Sequence, residues 1–298
     1  MIGKKRFGRL ALAAGVLLSG WVGLRGQRDA IAIDSQTVTI QFAGMVADDA
    51  FACGQAYELG TPATAMTPLD FRFYVSEVAL LDTDGNEVPL ILQQDGLWQH
   101  QNVALVDFED KSGACSNGTV ETRSEVVGTV PAGDYSGVKF TLGVPFGLNH
   151  VDSTLAPSPL NLTSLWWNWN FGYKFARIDL TPATTAQASP KQHSEALSGF
   201  AFHLGSVGCQ MDATQAPVVC SMPNRPEVIL ADFDPTADVI VADLAALMSG
   251  TNLAENQEDT ALGCMSSPAD GDCTEIMQNL GLPFNDRPES VQTFFSVK

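Results

Sequence analysis

Apolar and polar residues alternate in short runs along most of the chain, a period of two that suits strands with one buried face. Such runs occupy 36–44 (QTVTIQFAG), 71–81 (FRFYVSEVALL), 87–92 (EVPLIL) and 102–109 (NVALVDFE). More follow at 135–144, 173–180, 199–206 and 226–233. Each is rich in β-branched or aromatic residues and bounded by Gly, Pro, Asn or Asp, so the pattern predicts strands separated by turns. Asp84-Gly85-Asn86 is a hairpin signal, and Pro131-Ala132-Gly133-Asp134 marks a second turn. A helical period is scarce. DVIVADLAALMSG (238–250) reads as a strand running into a short helix. DCTEIMQNLGL (272–282) reads as a brief helix with Asp272 as N-cap and Gly281 at its end. The polar stretch 182–198, which holds His193, reads as an exposed loop. The expected fold class is all-β: an antiparallel β-sandwich or partly open barrel with long disulfide-stapled loops and few short helices.

The first residues break this pattern. Lys4, Lys5, Arg6 and Arg9 precede the apolar run LALAAGVLLSGWVGL, and Ala30-Ile31-Ala32 supplies a small-x-small end. That order predicts a secretory signal peptide over 1–32, with 33–298 as a single β domain. The apolar run falls short of the roughly 20 residues that cross a bilayer, so no stable membrane span is expected after processing. The expected location is the periplasm, the cell surface or the exterior.

Charge and cysteine content sharpen this picture. Residues 1–32 hold six of the 16 Lys/Arg and one of the 34 Asp/Glu. The remainder therefore carries 10 basic and 33 acidic residues, a net charge of −23. Such a surface repels nucleic acid and anionic membranes and favours cations or basic partners. Six cysteines, all beyond the leader, argue for disulfides in an exported chain. Sequence proximity favours Cys209–Cys220 and Cys264–Cys273, leaving Cys53 with Cys115, although other pairings stay open at this stage. A thiolate metal site is the rival reading, with no C-x-x-C spacing behind it.

Familiar catalytic signatures are absent: no G-x-S-x-G, no H-E-x-x-H, no phosphate-binding loop and no dinucleotide fingerprint. The acidic pairs Glu109-Asp110 and Asp232/Asp234 read as loop ends or calcium ligands before they read as paired catalytic carboxylates. Four histidines can be weighed one by one. His193 belongs to the polar loop. His150, beside Asn149 and near Asp152, suits a hydrogen-bonded structural role. His203 lies in the apolar strand GFAFHLGS with Ala201 and Gly205 on its face, where a satisfied core histidine is the ordinary reading. His100 follows Trp98 by two residues, so in a strand the imidazole and indole share a face. SLWWNWNFGYKF (164–175) gathers Trp166, Trp167 and Trp169 with Phe171, Tyr173 and Phe175, an aromatic cluster that ordinarily forms core.

Several long blocks, in order, carry a resemblance. They are YVSEVALLDTDGNEVPLILQQDGLWQHQNVALVDFED, VPAGDYSGVKFTLGVPFGLNH, APSPLNLTSLWWNWNFGYKFARID, FHLGSVGC and NRPEVIL, followed by LGCMSSPADGDC. With these the chain resembles the metallo-mystery pair system four-Cys motif family, a group of MbnP-like periplasmic copper-binding proteins. The resemblance implies Cys53, Cys115, Cys209 and Cys220 as the four motif cysteines, with Cys264 and Cys273 as an added pair. It implies a non-enzymatic protein binding one Cu(I) through a histidine and a kynurenine derived from tryptophan. A partner di-haem protein of the cytochrome c peroxidase or MauG kind would make that oxidation. A W-x-H arrangement of copper-binding relatives falls on Trp98 and His100, with His203 or His150 as an additional ligand. The alternative function is an adhesion or carbohydrate-binding module, with the aromatic cluster as a sugar platform and calcium in the acidic loops.

Overall fold

The computed structural model describes residues 34–168, 170–183 and 199–298. The expected leader, Trp169 and His193 with most of its loop lie outside these residues. Among the described residues no helix is long and apolar enough to cross a membrane.

Two large sheets carry the fold. In the smaller, Ser35–Val46 runs parallel to Val239–Asp243 and antiparallel to Glu125–Pro131. In the larger, Thr64–Asp82 is the hub, pairing with Ala176–Pro182 along its first half and Tyr135–Leu142 along its second. Those two partners part at Tyr74, whose N–H donates to Phe175 O while its carbonyl accepts from Gly143. Phe200–Leu204 extends the sheet beyond Ala176–Pro182, and Val103–Asp107 pairs with residues 72–76.

Alternation explains the core. Phe71 and Phe73 point into the space between the sheets, where Phe73 meets Phe42 at 6.0 Å and Phe295 at 5.5 Å. Phe140 meets the same two rings from the neighbouring strand, at 5.8 and 5.1 Å. Most of these pairs are edge-on, the arrangement ring quadrupoles favour, and each buried ring contributes about 1.5–3 kcal/mol by leaving water. The chain is all-β, with few short helices and three disulfides: Cys53–Cys115, Cys209–Cys220 and Cys264–Cys273.

Some details differ from the sequence reading. The sheets are not purely antiparallel, because Ser35–Val46 with Val239–Asp243 and Phe200–Leu204 with Gly263–Cys264 are parallel pairs. A period of two fixes which face is buried but carries no direction. The hairpin of Val207–Met211 and Pro217–Met222 was not anticipated; much of it is exposed, so it shows little alternation to read. Asp272 caps no helix: Asp270 accepts from its N–H, and the helix Thr274–Asn279 starts beyond it, while Gly281 at φ +79 does end the turn. Several acidic loop residues are turn caps. Asp152, Asp212 and Asp234 each accept from the N–H and hydroxyl of a Thr two residues on, and these bonds hold all three carboxyls below their usual range.

Candidate metal centre

On the face of the larger sheet opposite Phe71 and Phe73, charged residues replace apolar ones. The strand register lines up His203, Arg177, Arg72 and Asp107 in one row across four strands, with Asp179 and Asp70 in the next. Their side chains join. Arg72 Nε donates to Asp70 Oδ1 at 2.7 Å, Arg177 Nε reaches Asp70 Oδ2 at 3.1 Å, and Arg177 Nη2 reaches Asp179 Oδ2 at 2.7 Å. Ser164 closes the row from above, its carbonyl accepting from Arg177 Nη1 at 3.0 Å. Arg72 is 1% exposed and Asp70 0%, so each charge depends on its partner rather than on water.

His203 ends this row. Its Nε2–H donates to Asp179 Oδ1 at 2.7 Å, and its Nδ1 is buried with no hydrogen-bond partner. Burial alone would raise Asp179, but the hydrogen bond from His203 and the charge and hydrogen bond of Arg177 outweigh it and hold the carboxyl at about 2. Burial lowers His203 and prevails over the pull of Asp179, which favours the neutral ring. A neutral imidazole that gives its one N–H to a carboxylate carries a bare lone pair on the other nitrogen. That is the arrangement of a metal-ligating histidine and its outer carboxylate.

Trp167 faces this ring, with centroids 6.2 Å apart at 52°. It can approach because the next residue on the face of His203 is Gly205. A Cβ there would stand 2.4 Å from Trp167 Cζ3 and 3.0 Å from Tyr173 O. Ser266 pins the local backbone, donating to His203 O at 2.9 Å and accepting from Gly205 N at 3.1 Å. The parallel register of Ala201 with Gly263 and Phe202 with Cys264 brings Met265 alongside. Trp167, Phe171, Met265 and Val207 line one cavity of about 440 Å³. An imidazole lone pair and a thioether are donors suited to Cu(I). Gly205→Ala is expected to push Trp167 off its seat and cost about 1–3 kcal/mol in urea denaturation, the usual penalty of overpacking. Gly133→Ala, whose methyl would meet nothing nearer than 3.8 Å, is the control.

Trp98 and His100 are placed differently. Asp95 Oδ1 accepts from the N–H groups of Leu97, Trp98 and Gln99, so the segment is a turn leading into the two-residue strand Gln99–His100. Gln99 points inward, 1% exposed, and bonds to both Val127 N and Val127 O. Trp98 lines a cavity of about 300 Å³ over Arg72 and Asp107. His100 lines another, of about 340 Å³, with Leu148 and Pro157, and its Nε2 accepts from Gln101 Nε2 at 3.2 Å. His150 lies elsewhere again, its Nε2 3.6 Å from Cys220 Sγ. Trp166 packs on the core, and Trp167 sits against Gly205 and His203, an arrangement unlike a flat sugar platform. The pairing of Trp167 with His203 was missed by spacing, since the two lie in separate strands. The one signal was Gly205, a residue too small to fill the face that His203 occupies.

The MbnP family profile matches residues 35–266. Among solved structures, MbnP from Methylosinus trichosporium is similar, with 27% identity and a TM-score of 0.75 over 89% of this chain and 99% of that one. No curated protein matches.

Proposed function

The chain belongs to the MbnP family, and from that premise we propose that it is an exported copper-binding protein, not an enzyme, serving copper acquisition or homeostasis. It holds one Cu(I) at His203 beside a kynurenine made from Trp167. The observation that carries this reading is the buried, unpartnered Nδ1 of His203, backed by Asp179 and facing an indole.

The chemistry is consistent with those residues. An indole nitrogen is a poor ligand because its lone pair belongs to the ring. Oxidation cleaves the pyrrole double bond with two oxygen atoms taken from two waters, giving up four electrons and four protons. Hydrolysis then releases the formyl group as formate and frees an aryl amine and a ketone. The amine joins His203 Nδ1 as a soft and sparse donor set of the kind Cu(I) accepts, and the thioether of Met265 lines the same cavity as Trp167. The electrons leave to a di-haem partner of the cytochrome c peroxidase or MauG kind. The acidic surface favours a basic docking face on that partner.

A second reading keeps the copper at Trp98 and His100, which flank the inward Gln99 and both border the 155–162 segment. Peptide mass spectrometry on protein made together with the partner separates the two. The expected result is a gain of two oxygens less carbon monoxide on the peptide holding Trp167. The same change confined to the Trp98 peptide would transfer the site to Trp98 and His100. An unmodified chain that nonetheless binds copper with its three disulfides intact would refute the kynurenine.

A further inference from the structure

A second group of ligand atoms lies away from His203. His150 follows the short helix Phe146–Asn149, and its ring is held against Phe146 at 4.9 Å. Its Nε2 accepts from Asn149 Nδ2 at 3.2 Å and stands 3.6 Å from Cys220 Sγ. That nitrogen and the sulfurs of Cys209 and Cys220 all lie within 4.8 Å of one another. Joined as a disulfide, the sulfurs carry no charge and ligate metals poorly; as thiolates they are strong soft donors.

Three features bear on this bridge. Cys209 and Cys220 are direct partners across the hairpin, flanked by the pairs Val207 with Met222 and Gln210 with Val219. The ladder on either side keeps the two sulfurs facing each other when the bond between them is cut. Cys209, on a hairpin whose Val218 and Val219 are exposed, is half-buried like Cys53, whereas Cys264 and Cys273 are fully buried. Reductants therefore reach Cys209–Cys220 and Cys53–Cys115 before Cys264–Cys273. Finally, His150 Nε2 already stands 3.6 Å from Cys220 Sγ, a proximity that no C-x-x-C spacing could reveal because His150 comes from a distant segment.

We propose that His150, Cys209 and Cys220 form a redox-gated metal site, closed as the disulfide and opened by a dithiol reductant to bind one Cu(I) through one nitrogen and two sulfurs. A thiolate of the reductant attacks Cys209 Sγ and releases the Cys220 thiolate. The second thiol of the reductant then displaces Cys209 and ends as a cyclic disulfide, so two electrons and two protons pass to the protein. Binding Cu(I) expels the two thiol protons and leaves a trigonal complex of net charge −1. The site needs no kynurenine and stands independently of His203.

The test uses the full processed chain made without the di-haem partner, so that its tryptophans stay unmodified. The protein is treated with a phosphine reductant under nitrogen, the reductant is removed, and Cu(I) is titrated against a coloured Cu(I) chelator. Far-UV circular dichroism checks that the fold persists. The expected result is no binding at this site in the oxidised chain and one Cu(I) gained on reduction, with sulfur-to-copper absorption in the ultraviolet. Cys209→Ser/Cys220→Ser, which keeps the other two bridges, loses that gain. His150→Ala weakens it by about tenfold or more, since even an outer partner of a ligand is worth that much. The proposal is overturned by any of four results: a reduced chain that gains nothing, a bridge that resists reduction in the folded chain, equal uptake by the double serine variant, or undiminished affinity in His150→Ala.

Discussion

Replacing His203 with alanine, in protein made with its di-haem partner, is expected to take bound copper from one equivalent to nearly none. The reason is the single lone pair. Nδ1 of His203 has no other hydrogen-bond partner, so nothing nearby substitutes for it, and a kynurenine amine alone is a weak, neutral ligand. Asp179→Asn should keep the ring and lose about 10- to 100-fold in affinity, because the amide no longer fixes which nitrogen holds the proton. Metal analysis after buffer exchange measures the first and chelator competition the second. Full copper loading in His203→Ala, with loss in His100→Ala instead, would establish the Trp98 and His100 site in its place.

The largest stability effect is expected at Arg72. Arg72→Met leaves Asp70 buried, with Asp107 and Glu109 close by and also buried, and removes the guanidinium that offsets all three. Removing one partner of a buried ion pair costs about 3–5 kcal/mol, read as a lower urea midpoint. Changing Arg72 and Asp70 together to apolar residues should cost much less, since no charge is then stranded. Asp107 adds a pH signature to the same row. Burial raises its carboxyl, against the opposing pull of Arg72, to about 7. The folded chain then holds a proton that the unfolded chain gives up above about pH 4. This contribution is full below that value and is lost as pH climbs to 7, and Asp107→Asn should flatten that limb of the stability curve.

Much of the fold was written in the alternation of residues. FRFYV, ARIDL and FAFHL each put large apolar side chains on one face, and those faces became the core. The same alternation put Arg72, Arg177, Asp179 and His203 on the other face, yet it could not say that they would be neighbours. Trp98 and His100 stood out because they are close in sequence, and closeness in sequence is the one distance a sequence displays.

By itself, the sequence determined most of the segments that are strands, the face of each that is buried, and several of the turns. These are local consequences of side-chain period and backbone freedom. Strand order and direction were left to the tertiary structure, because many pairings bury the same faces equally well. Register then decided the rest, bringing His203 beside Arg177, Trp167 onto Gly205 and His150 against Cys220. A site made of side chains from several strands exists only once packing has chosen one register among them.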